Sequence, residues 1–148
     1  MTTVTPRFFY PSIDVVAIPD YISKAICRQI RRSYTLFFAD PTSAANPLRS
    51  ALECFLDERD IIKERNGKHL TLNQRLHEFK KSNVEVADLL NAVKWLGNDG
   101  SHFGQELTED DLLKGYKVFL HAVEKCFDDP ESCVKAYAAY ISKGRGEA

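Results

Sequence analysis

The apolar residues of this chain recur every three or four positions, and that period constrains the fold more than any other feature. Leu112, Tyr116, Phe119, Leu120, Val123 and Phe127 form one unbroken stripe at helical spacing. Ile22, Ile26, Ile30 and Phe37 make a second, Leu48, Leu52, Phe55 and Leu56 a third, and Val86, Leu89, Leu90, Val93 and Leu96 a fourth. A half-buried strand needs alternation instead, and none of useful length occurs outside the N-terminal arm, nor does any internal repeat. The stripes predict an all-α, up-and-down bundle of five to six helices.

Punctuation residues place the helix ends. Both Asp40-Pro41 and Asn46-Pro47 read as an N-cap followed by proline at the first helical position, so the second helix has two candidate starts, reconciled by a kink at Pro47. Residues 63–69 are polar and contain Asn66-Gly67, which predicts a loop. Thr71-Leu72-Asn73-Gln74 and Ser82-Asn83-Val84-Glu85 both fit the capping-box pattern. Thr108 opens a long helix, and Asp129-Pro130 restarts a shorter one that runs to about Ser142. Residues 6–19 hold Pro6, Pro11 and Pro19 among aromatic and branched side chains, which favours an extended segment. The expected organisation is an arm over residues 1–19 packed on a single helical domain over residues 20–148.

A chain of 148 residues with 44% hydrophobic residues and a formal net charge of −1 reads as one soluble globular domain. That balance excludes a globally basic nucleic-acid binder and leaves local patches to weigh. Lys24, Arg28, Arg31 and Arg32 fall on one side of the first helix, opposite its isoleucines, a pattern that most often marks a solvated face. Cys27, Cys54, Cys126 and Cys133 never approach a Cys-x-x-Cys spacing, so reduced thiols of a cytosolic protein are expected and zinc is not. His69, His77 and His121 stand apart and read as surface residues. No phosphate-cradling or dinucleotide glycine pattern is present, so no metal and no cofactor is expected. The absence of a long apolar run argues against a membrane partner and for a cytoplasmic protein.

One segment combines the chemistry of a site. In Lys94-Trp95-Leu96-Gly97-Asn98-Asp99-Gly100-Ser101-His102, an apolar helix runs into glycines interleaved with polar residues. Lys94, Asn98 and His102 are spaced i, i+4, i+8, and a helix persisting through the glycines aligns a cation, an amide and an imidazole that can hold a phosphate. The alternative is an elaborate C-cap, with Lys94 complementing the helix dipole and Asn98 and Ser101 satisfying backbone groups. On the second helix Asn46, Arg49 and Glu53 align at i, i+3 and i+7, either as a surface pair or as the lining of a polar site.

The order of these features resembles a bacterial domain of unknown function, number 4145, within the wider HEPN superfamily of helical nucleotide- and RNA-associated domains. The matching elements are Phe8-Phe9-Tyr10-Pro11, Asn46-x-x-Arg49-x-x-x-Glu53, Asn73-x-Arg75-Leu76 and Lys94-Trp95-Leu96-Gly97-Asn98-x-Gly100-Ser101-His102, spanning residues 8–144. The resemblance implies a HEPN-like bundle that pairs as a homodimer, acts on or binds RNA, and serves a bacterial defence or toxin-type system beside a partner protein. It also implies a metal-independent endoribonuclease whose catalytic residues are His102, Asn98 and Lys94, with Arg49, Glu53, Asn46 and Ser101 contacting substrate. The superfamily signature is Arg, four to six residues, then His. Counted back from His102, the Arg position falls on Trp95, Leu96 or Gly97, none of them basic. That departure keeps open a non-catalytic dimerisation or interaction module serving a neighbouring effector.

Overall fold

The structure is a computed structural model that describes residues 3, 13–97, 106–127 and 130–144, without the side chains of 130–133 and 136. Its helices follow the apolar stripes. Helix α1 (Lys24–Leu36) begins at Ser23, whose hydroxyl accepts from the Ile26 amide at 3.3 Å. It buries Ile26, Ile30 and Tyr34 and leaves Lys24, Arg28, Arg31 and Arg32 exposed, as their spacing predicts. Helix α2 (Pro41–Glu58) resolves the ambiguity at its start in favour of Asp40, which accepts from the Ser43 amide at 3.2 Å. Pro47 lies inside the helix, buried, so its ring adds an apolar contact where its missing amide removes a hydrogen bond.

Residues 63–69 correct the expectation of a loop. Strands β1 (Glu64–Arg65) and β2 (Lys68–His69) pair antiparallel, Glu64 opposite His69 and Arg65 opposite Lys68. Asn66 and Gly67 take φ of +53° and +76°, the left-handed pair that a two-residue primed turn needs.

Helix α3 (Leu72–Lys80) has the expected capping box: Thr71 Oγ1 accepts from the Gln74 amide at 3.2 Å and Gln74 Oε1 from the Thr71 amide at 2.8 Å. Helix α4 (Val84–Gly97) is capped by Asn83, not by the Ser82 of the capping-box pattern. Asn83 Oδ1 accepts from the Val86 amide at 3.1 Å, while the Ser82 hydroxyl turns back and donates to the Phe79 carbonyl at 2.9 Å. Thr108 opens helix α5 (Glu109–Phe127) through a reciprocal pair with Asp111 at 3.0 and 3.1 Å, and helix α6 (Pro130–Gly144) completes the chain's regular structure.

Helices α4 and α5 pack antiparallel, as contacts at both ends show. Glu85 at the start of α4 meets Lys125 near the end of α5 at 2.7 Å, and Leu96 near the end of α4 lies over Gly115, where a Cβ would collide with it. Leu90, Val93, Tyr116 and Leu120 are all buried. Tyr116 also reaches the other helix pair. Its hydroxyl lies 2.6 Å from Ser33 Oγ, and Ser33 spends its one proton on the Ala44 carbonyl at 2.6 Å, so Tyr116 is the donor between the two hydroxyls. One buried chain of hydrogen bonds thus joins α1, α2 and α5. Tyr34 donates to the Val16 carbonyl at 2.8 Å, and Val15, Val16 and Ile18 are partly buried against the core. This part of the expected arm packs on the bundle in irregular conformation.

Candidate functional site

Lys94 stands in the last turn of α4. A cap lysine belongs at the surface, yet this one is only 5% exposed. Its Nζ donates to Asn73 Oδ1 at 2.7 Å and lies 4.3 Å from the centre of the Trp95 ring. Buried ammonium groups are ordinarily matched by a carboxylate, because desolvation costs several kcal/mol per ion. Among the described residues none is paired with Lys94. Burial lowers its pKa from the ordinary lysine value, and the nearby Arg49 guanidinium pushes it the same way. The amide oxygen, the ring face and the carbonyl end of α4 compensate the charge in part.

Arg49 and Glu53 share a face of α2 as expected, with Nε and Oε1 3.9 Å apart and both side chains more than a third exposed. An ion pair this long and this wet is worth little. Asn46 is exposed one turn earlier. The fold therefore brings together Lys94 from α4, Asn73 from α3 and Arg49 with Glu53 from α2. Asn98, Ser101 and His102 lie outside the described residues.

Sequence reasoning places Asn73 only at a helix start and misses its role as the oxygen that meets Lys94. The usable signal is the pairing of two motifs, Asn73-x-Arg75-Leu76 and the segment beginning at Lys94. Arg75, in the first of them, is structural. It is 6% exposed and donates to Asp57 Oδ1 at 2.7 Å and to the Ile61 and Ile62 carbonyls at 2.9 and 3.2 Å, tying α3 to the chain that leaves α2.

The remaining candidates fall away from this cluster. Arg31 pairs with Asp14 at 3.4 Å on the exposed face of α1. Cys27, Cys54 and Cys126 are free thiols whose pKa values burial raises, the opposite of what a nucleophile needs. His69, His77 and His121 are exposed. Among the described residues no group of three potential ligands could hold a metal, and no helix is long and apolar enough to cross a membrane.

No curated protein and no solved structure matches this chain. A family model described as "Domain of unknown function (DUF4145)" matches residues 31–142, which take in every cluster residue named above. The chain belongs to that family.

Proposed function

We propose that this member of the DUF4145 family is a HEPN-like, RNA-directed domain in which Lys94 and Arg49 engage a phosphate of the RNA backbone. The observation that carries the reading is the buried Lys94 ammonium, held at 2.7 Å by Asn73 with no carboxylate beside it among the described residues. A fixed, desolvated cation attracts an anion more strongly than a hydrated surface lysine, and charge-assisted bonds to phosphate oxygens are among the stronger polar contacts. Arg49 adds a forked donor suited to the same group.

In this reading the 97–102 segment supplies the reacting groups. His102 moves a proton to or from the attacking or leaving oxygen, Lys94 stabilises charge developing on the non-bridging oxygens, and Asn98 orients the phosphate. Asn46, Glu53 and Ser101 complete the substrate contacts. The domain works as a homodimer in a cytoplasmic defence or toxin-type system. The test is cleavage of single-stranded RNA in the presence of a chelator by the wild type, His102→Ala and Lys94→Ala. Loss of cleavage by about a hundredfold or more in His102→Ala, at an unchanged melting temperature, supports the enzyme. Wild-type protein that binds RNA and never cleaves it limits the function to binding.

A second reading, a dimerisation or interaction module, is favoured by α6. Its described side chains are all exposed, and Val134, Tyr137, Tyr140 and Ile141, between 59% and 77% exposed, form an apolar stripe suited to a second copy of the chain.

A further inference from the structure

Asn73 has a second setting besides Lys94. It lines a cleft of about 330 Å³ between α3, α4 and the β-hairpin. Leu76 and Ala87, both buried, give this cleft an apolar floor. Its walls carry Asn73, Gln74, His77 and Asn91. The hydrogen-bonding capacity of these walls is largely unspent. Asn73 uses its oxygen on Lys94 and Gln74 uses its oxygen on the Thr71 amide, which leaves both side-chain NH2 groups to donate into the cleft. The side chains of Asn91 and His77 make no hydrogen bond among the described residues.

The charges on the rim cancel within the protein. Arg65 meets Glu78 at 2.6 Å and Lys80 meets Asp88 at 3.2 Å. An anion gains nothing from such a rim, and a cation no more. The suited occupant is neutral, small, apolar on its face and rich in acceptors and donors at its edge, since the volume sits near the lower end of the roughly 300–1,000 Å³ usual for ligand sites. A sugar would call for an aromatic platform, and no phenyl, phenol or indole ring lines this cleft. A nucleobase meets every requirement: amide side chains pair with base edges, and an imidazole can stack on a base face.

We infer that the α3–α4 cleft binds the base of the nucleotide whose phosphate lies at Lys94. The inference rests on the phosphate reading above and deepens it, with Asn73 as the shared wall between the two subsites. The shared chemistry, a base with its phosphate, is offered by an RNA chain and by a free nucleotide alike, and the experiment separates them.

A short fluorescent single-stranded RNA, an abasic chain of the same length and the four nucleoside 5′-monophosphates are titrated against the wild type, Asn91→Ala and His77→Ala, with melting temperatures as a check on folding. Both substitutions fall on solvent-accessible helix positions and leave Lys94 and Arg49 untouched. The expected result is binding of RNA about tenfold tighter than the abasic chain, with Asn91→Ala erasing most of that difference, as befits one base-edge contact or one stacked base. Equal affinity for RNA and abasic chain overturns the base subsite and leaves the phosphate reading standing. Binding of monophosphates that Asn91→Ala abolishes, without binding of RNA, supports the cleft and overturns the RNA reading. No binding of any probe overturns both.

Discussion

At Lys94 two effects act in one direction, because burial and Arg49 both disfavour the ammonium. The folded chain therefore holds this proton less tightly than the unfolded chain does, and between the lowered folded pKa and the ordinary 10.5 the unfolded state binds more protons. The destabilising contribution of Lys94 is full below that window and fades as pH climbs through it. Tyr116 runs the other way. Burial pushes its phenol up to about 12 from 10.0, so its contribution is present below pH 10 and is lost as pH rises toward 12. Comparing the wild type with Lys94→Met at each pH cancels the tyrosine effect. Urea midpoints should favour Lys94→Met most near neutrality, with the gap narrowing toward pH 10.5, and a gap that ignores pH would refute a destabilised ammonium. Arg75 gives the opposite test. Arg75→Ala removes the donor from Asp57 Oδ1 and from two carbonyls, while Asp57 keeps Lys63 at 3.4 Å, and should cost on the order of 1–3 kcal/mol in the same titration.

Among the elements, the start of α4 offers the sharpest check on local chemistry. Asn83→Ala should destabilise the fold by about 0.5–2 kcal/mol, the usual loss for an N-cap, and Ser82→Ala by less, since Ser82 only closes α3. Equal losses, or the reverse order, would return the cap to Ser82. The identity of the cap was hard to read because Ser82 and Asn83 are both good caps and both precede Glu85. Stripes and single caps such as Thr71 were legible because each depends on residues within one or two turns of itself. The hairpin was not, because strands of two residues have no room to alternate and only Asn66-Gly67 betrays them. The Lys94 contact with Asn73 spans 21 residues and exists only because α3 packs on α4, so nothing local announces it. For the α4–α5 interface, Leu90→Ala should cost roughly 2–5 kcal/mol, as deletion of a fully buried leucine does. A midpoint unchanged within error would place that stripe elsewhere.

Across the whole molecule, a net charge of −1 means that any grip on a polyanion must be local, and the account places it at Lys94, which no carboxylate meets among the described residues, with the Arg49 guanidinium nearby. Self-association through α6 would put two such clusters on one particle. Light scattering at micromolar concentration should then report a dimer, and Tyr137→Glu together with Tyr140→Glu should return it to a monomer while leaving the bundle folded. A monomer at every concentration would remove the second copy from the account. The central claim, that the buried ammonium is an anion site, is tested most directly by the affinity of single-stranded RNA for the wild type and Lys94→Met across a salt series. The account predicts a loss of about tenfold or more at low salt, the worth of one charged hydrogen bond, and a salt slope shallower by about one ion. Equal affinity and equal slope in the two proteins would contradict it.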